Sequence, residues 1–495
     1  MKYKRISLSL SLSLSLSLSL SLSLLILAAM LTVAPIASAT EYKIAGVWQH
    51  RPFSWADRNL AKGNHDDNMR ASTRLRTWIE IIASESLKGV VYFQVGHQNW
   101  GYQSQGAALG TDGKFIGILE SYVDWAIPDT EARMRVGLQG FALPSFTTIG
   151  NAISTDSTYA GGVVFSTPFT ENIGSNLFWF RLENDNALTY DSETKKTFNP
   201  HDAMDFVGMT LPITFDGVRV TPWGMYGFVG RDSFQGTDFN LSIAQQGMMP
   251  LGATSSIISA SDKAHGSAWY GGIAAQLSAF EPFNFALDAA YGSVDVGTSE
   301  LNGRHFDVKR SGWYAVFLAE YKMDFGTPGI LLWYTSGDDA NPYNGSERLP
   351  SIFPDMYPTS YGFDGTNYGG AALTLGYGIS GTWAAMARIN NISFYEDLSH
   401  VLRLVYYQGT NNTQMVRDKF ITNPQDTIRS MTCMTTADKA VEFNFDSTYK
   451  IYDNLTMHVE LGYIRMDQDK ELWRSVGYEA NKNNFKYTLS FQYMF

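Results

Sequence analysis

The stretch Phe485-Lys486-Tyr487-Thr488-Leu489-Ser490-Phe491-Gln492-Tyr493-Met494-Phe495 alternates apolar and polar side chains, with Met494 the one exception. Successive side chains of a β-strand point to opposite faces, so this segment carries one aromatic face and one polar face. A helix would scatter the same residues around its circumference. The segment reads as a strand that is greasy on one side and wet on the other.

The same pattern recurs upstream. Residues 283–292 set Phe283, Phe285, Leu287, Ala289 and Tyr291 opposite Asn284 and Asp288. Residues 441–451 set Val441, Phe443, Phe445, Tyr449 and Ile451 opposite Glu442, Asn444, Asp446, Thr448 and Lys450. Further segments lie at 89–97, 312–323 and 456–464, and no stretch sustains a 3.6-residue period, so the chain is expected to be all-β. Turn residues close the connections at 84–88, 216–217, 281–282, 324–328 and 453–454 tightly, whereas 231–266, 336–368, 410–438 and 467–482 are long and polar. Counting from 42–50, with 370–392 taken as one strand, gives eighteen strands, or sixteen if 42–50 is a tether outside the wall.

Composition decides what such strands build. The chain holds 27 Tyr, 30 Phe and 44 Gly, yet its mean hydropathy is only −0.15. After Thr40 no run approaches the ~20 apolar residues of a membrane-spanning helix. A bilayer can otherwise be crossed only by a closed barrel, because every backbone N–H and C=O must find a partner. Alternation hides the hydrophobicity of such a wall from an averaged index. The expected fold is a transmembrane antiparallel β-barrel with short turns on one side and long loops on the other.

The beginning of the chain is read separately. Lys2, Lys4 and Arg5 precede an uncharged run from Ile6 to Ile36, and Ala37-Ser38-Ala39 is a small-residue cleavage site. Residues 1–39 are therefore expected to be a cleaved signal peptide, with 40–495 forming one barrel domain. Its loss removes three basic residues and makes the net charge of −11 more negative still, which argues against a nucleic-acid partner. Cys433 is the one cysteine and has no disulfide partner.

A barrel of this size encloses water, so function lies in the residues that point inward. With the apolar row outward, the candidates are Arg74, Arg76 and Glu80, then Glu120 and Asp124, then Arg133, Arg135 and Arg181. Asp288, Glu320, Glu442 and Asp446 follow in the second half. Arginines in one half and carboxylates in the other would set up a transverse field across the lumen. A constriction is expected from an infolded loop, either 144–159 or 231–266 with its apolar Met248-Met249-Pro250-Leu251. Trp48, Trp55, Trp125, Trp179, Trp313, Trp333 and Trp383 suit girdle positions at the lipid interface. Enzyme signatures are missing: there is no G-x-S-x-G, P-loop or HExxH, and His65-Asp66-Asp67 has no second histidine at ligand spacing. No enzymatic activity, cofactor or metal is expected.

The aromatic terminal strand ending in Phe495 resembles the closing strand of bacterial outer-membrane barrels, where it also serves as the assembly signal. With the Arg-rich early strand Ser72-Thr73-Arg74-Leu75-Arg76-Thr77-Trp78, the whole chain resembles outer-membrane porins, in particular the trimeric porins of sulfate-reducing bacteria. That resemblance implies a homotrimer of water-filled channels in the outer membrane of a Gram-negative bacterium, passing small hydrophilic solutes and ions by diffusion. It also implies that Tyr487, Leu489, Phe491, Tyr493 and Phe495 address the barrel-assembly machinery. The chain lacks the acidic, glycine-rich constriction-loop motif of the general porins. A channel selective for sugars or anionic organic solutes is the alternative that the early arginines suit.

Overall fold

The computed structural model describes residues 40–57, 67–110, 116–147, 149, 158–184, 201–235, 239–301, 303–353, 356–363, 378–420, 433–479 and 483–495. The signal-peptide expectation and the His65-Asp66-Asp67 cluster lie outside them.

Nineteen strand segments follow one another: β1 (Glu41–Asp57), β2 (Asp67–Ser84), β3 (Leu87–Asn99), β4 (Ile116–Ala126), β5 (Arg133–Gly140), β6 (Tyr159–Pro168) and β7 (Gly174–Glu183). Next come β8 (Met204–Thr210), β9 (Ile213–Phe215), β10 (Val218–Gly230), β11 (His265–Leu277), β12 (Phe283–Leu301) and β13 (Arg304–Tyr321). The last are β14 (Thr327–Thr335), β15 (Thr382–Tyr395), β16 (Leu398–Gly409), β17 (Lys439–Tyr452), β18 (Leu455–Asp467) and β19 (Asn483–Met494). Apart from β8 and β9, each pairs antiparallel with its sequence neighbours, and β1 pairs with both β2 and β19, so the sheet closes without an edge.

β8 and β9 both pair with β10 and form one wall strand interrupted at Leu211-Pro212. Proline has no N–H to give to a ladder, so the hydrogen bonding breaks there. The wall therefore has eighteen positions, in agreement with the count from alternation. β1 belongs to it as a full strand, and of the region 370–392, read as one strand or two, the described residues form the start of β15 from Thr382. Short turns join strands at one end. The other end carries the long connections, with α1 (Phe239–Met248) and α2 (Ser255–Ser259) between β10 and β11, α3 (Gln414–Arg417) after β16, and α4 (Lys470–Arg474) after β18.

The outer face is an apolar belt bounded by aromatic pairs at two levels. Near the long-loop end, Trp269 stacks on Tyr291 and Trp313 on Tyr334, both at 5.0 Å between centroids, and Trp383 meets Tyr406 at 5.4 Å. Towards the turns, Phe283 meets Tyr321 at 4.9 Å and Tyr493 meets Phe495 at 6.0 Å. Trp313 and Tyr321 lie on the same strand, and at ~3.3 Å per residue with the usual tilt of ~40° the two levels stand about 20 Å apart, close to a bilayer's apolar thickness. Amphipathic rings at such levels fit the boundary between lipid and water.

Tyr487, Leu489, Phe491 and Tyr493 occupy the outward row of β19. Phe495 continues it across the seam, exchanging backbone hydrogen bonds with Gly46 (2.9 and 3.1 Å) while its ring covers that glycine. A Cβ at position 46 would collide with the ring, which is why the last aromatic needs a glycine beneath it.

Candidate functional site: the lumen

Strand register fixes which side chains face inward. On the first wall, Lys43 lies opposite Glu80 and Gln49 opposite Arg74, while Lys88 lies opposite Asp124 and Tyr92 opposite Glu120. Asp124 in turn lies opposite Arg135. Arg74 donates from Nε to Gln49 Oε1 at 2.8 Å, and Arg76 from Nε to Gln94 Oε1 at 2.7 Å. Lys88 pairs with Glu80 at 2.7 Å, and Glu120 accepts the Gly140 N–H at 2.9 Å.

Asp124 holds two guanidinium groups at once: Arg133 Nη1 at 3.1 Å and Arg135 Nη2 at 2.9 Å. Its own side chain is only 1% exposed, whereas those of Arg133 and Arg135 are 52% and 39% exposed. One buried carboxylate thus organises two cations that remain open to solvent. Arg135 also sits over the Tyr122 ring at 4.4 Å.

The second wall does different work. Asp288, on β12, accepts from Ser145 Oγ (2.7 Å), from the N–H groups of Phe146 and Thr147 (both 2.9 Å), and from Thr147 Oγ1. These donors belong to the connection that leaves β5, six wall positions away, so the connection crosses the lumen as a chord. Its entry is packed by Phe141 stacked on Phe180 at 4.0 Å, and Phe146 lies under the Arg219 guanidinium at 4.4 Å. The infolded loop expected at 144–159 is found at its described beginning. The rival at 231–266 folds in as well, burying Met248 and Met249.

A third connection, after β14, is pinned to β17 and β19. Glu442 accepts the Gly362 N–H (3.1 Å) and the Tyr407 hydroxyl (2.8 Å), and Asp446 accepts the Ser360 hydroxyl (2.9 Å). Lys486 donates to the Ser360 carbonyl and pairs with Glu460 at 2.8 Å.

Two expectations fail in this geometry. Arg181 does not face the lumen: it shares its row with exposed Leu177 and Trp179 and pairs with Asp205 (2.9 Å) on the outer face. The segment Leu177-Phe178-Trp179-Phe180 is apolar on both faces because Phe178 and Phe180 pack under the infolded loop, so alternation could not assign sides there. Trp333 is likewise no girdle residue. It lies inside, 2% exposed, bonded to Thr382 Oγ1 at 3.1 Å and packed near Phe363 and Tyr407.

The division into a basic half and an acidic half also dissolves. Arg388 pairs with Glu320 (2.8 Å) and Arg403 with Asp446 (2.5 Å), both inside the second half. Arg310, Arg388 and Arg403 were missed because their strands carry apolar residues on both faces, and Lys486 stood in the polar row of β19 without being singled out. The second-half carboxylates are spent on these cations and on the loops. The Arg388 and Glu320 side chains are only 10% and 14% exposed, whereas those of Arg133 and Arg135 on the first wall are open to solvent. Beneath the chord-like loop a recess of about 280 Å³ has Arg133 and Arg135 on one side, Phe141, Phe178 and Phe180 on another, and Gln139, Asn176 and Thr210 between. A second, of about 230 Å³, shares Arg133 and adds Lys43, Glu80 and Lys88 towards the turns. Among the described residues no group of three or more His, Cys, Asp or Glu could hold a metal ion.

The closed eighteen-position wall, with loops folded into it, can be set beside known proteins. No family model matches the chain, and no curated protein matches it. Solved structures do. A crystal structure of the outer-membrane protein OprD from Pseudomonas aeruginosa is 11% identical, with 93% of this chain covering 96% of that one at a TM-score of 0.51. An improved crystal structure of the same protein gives 12% identity, coverage of 93% and 97%, and a TM-score of 0.50. A substituted form, OccD1 (OprD), gives 11%, the same coverage and 0.50. The chain has the fold of an outer-membrane β-barrel. At these identities the likeness concerns the path of the chain and not its side chains.

Proposed function

We propose that the protein is an outer-membrane porin, a water-filled channel through which small hydrophilic solutes and ions diffuse, with a bias towards anions. The observation that carries this reading is the Arg133–Asp124–Arg135 group on the accessible wall. Two solvent-exposed guanidinium groups share one buried carboxylate, so the path past them is net positive. Lys43, Arg76 and Lys88 extend the same wall, against Glu80 and Glu120. A cationic lining in a confined aqueous path raises the local concentration of anions and repels cations.

Reversal potential across a planar bilayer under a salt gradient tests the proposal. Wild-type protein is expected to be anion-selective, and joint Arg133→Ala and Arg135→Ala substitution is expected to move the reversal potential towards the cation side. Absence of stepwise conductance from folded protein would overturn the channel reading itself.

The recess of about 280 Å³ favours a narrower version of the same reading. Guanidinium on one side and phenylalanine on the other suit a small carboxylate with an apolar part, a solute that would bind transiently and interrupt ion current. The finer parts of the reading are that the chain is exported with loss of residues 1–39, is addressed to the assembly machinery by the row ending in Phe495, and forms a homotrimer. Crosslinking the unheated, detergent-solubilised protein tests the last point, and a product at the mass of one chain would reject it.

A further inference from the structure

Two connections far apart in sequence meet on the inner side of β13, the one holding α1 and the one between β14 and β15. They touch directly, the Ser351 N–H donating to the Gly247 carbonyl at 2.8 Å. They also meet at one wall side chain, Arg310 of β13, which is 2% exposed. Nη1 of Arg310 donates to the carbonyls of Gln246 (2.9 Å) and Met249 (3.4 Å), at the end of α1. Nη2 donates to the Leu349 carbonyl (2.8 Å) and the Ser380 hydroxyl (3.2 Å), and Nε to the Arg348 carbonyl (3.3 Å).

A guanidinium has five N–H donors in a rigid plane, and here five contacts use them, none to a carboxylate. Three acceptors lie in the β14–β15 connection and two at the end of α1, so neither connection alone satisfies the fork. The nearby buried pair Arg348–Asp338 (3.1 Å) lies within the β14–β15 connection. The height of the clasp is also fixed. Arg310 stands three residues, about 10 Å along the strand, beyond Trp313 of the aromatic level, on the long-loop side.

We infer that Arg310 is a positioning residue that clasps the two connections into one lid and thereby sets the largest solute the mouth admits. The inference rests on the channel reading and assigns it a size filter separate from the Arg133–Asp124–Arg135 charge filter. An ammonium at this position could serve three acceptors at most and could not span both connections with a planar fork.

Liposome swelling with neutral sugars of increasing length, paired with single-channel conductance, tests it on the full-length protein. Arg310→Met and Arg310→Lys would be compared with wild type after the compact form on an unheated gel shows that the barrel has folded. The clasp predicts that Arg310→Met conducts roughly twofold more and admits an oligosaccharide that wild type excludes. It also predicts that Arg310→Lys lies between the two, with ion selectivity unchanged in both. Folded variants with the wild-type size limit would overturn it. So would failure of both variants to fold, which would make Arg310 a folding residue, or a size limit that moves only together with selectivity. A wild-type protein that conducts nothing would instead remove the channel reading beneath it.

Discussion

At the scale of single residues, the lumen is governed by buried charges that each hold several partners. Asp288 accepts from Ser145, Phe146 and Thr147 and so fixes the loop that narrows the path. Hydrogen bonds to a charged acceptor are each worth about 1.5–3 kcal/mol, and the donors left behind would be unsatisfied. Asp288→Ala is therefore expected to free the loop and raise single-channel conductance, with the barrel still folded. Unchanged conductance would show that the Phe141 packing holds the loop without the carboxylate. Asp124 makes the opposite case. Asp124→Ala would leave Arg133 and Arg135 facing each other without a counter-charge, and because both are open to solvent the cost is expected to be about 1 kcal/mol. Chemical denaturation from detergent should show that loss, and channels that still fold should be more anion-selective than wild type.

At the scale of strands, alternation was legible wherever the two faces of the wall meet different media. β19 and β17 separate aromatic from polar rows because one face meets lipid and the other meets water or polar side chains. β7 and β14 do not, since infolded loops bury Phe178, Phe180 and Trp333 on the inner face. Arg181 and Trp333 were placed on the wrong side for that reason. Outward and inward rows should respond oppositely to charge. Phe317→Arg, midway between the two aromatic levels on β13, is expected to cost about 2–4 kcal/mol. Replacing Glu120 by Gln on the inward row of β4 should cost far less, because water and the Gly140 N–H remain available to it. Equal costs in denaturant titrations from lipid vesicles would contradict the assignment of faces.

At the scale of the whole molecule, the barrel is wide and its loops make it narrow. Eighteen wall positions enclose more space than inward side chains can fill, so three connections fold in and form a packed core continuous with the second wall. Shortening the loop between β14 and β15 is expected to open the second wall and expose the Arg388–Glu320 and Arg403–Asp446 pairs. Both signs of charge would then line the path, and anion selectivity should weaken as conductance rises. Selectivity that survives the deletion would mean that the first wall alone sets it.

The sequence by itself determined the all-β class and the closed barrel, and it offered eighteen wall positions against sixteen. These are local consequences of a strand lying between lipid and water, so they are written residue by residue. Only the tertiary structure decided where the charge acts. Whether an inward carboxylate pairs with neighbouring arginines, as Asp124 does, or pins a loop more than a hundred residues away, as Asp288 does, depends on which chain segments the fold brings to it. Spacing along the chain carries no record of those partners, because loop closure brings them together.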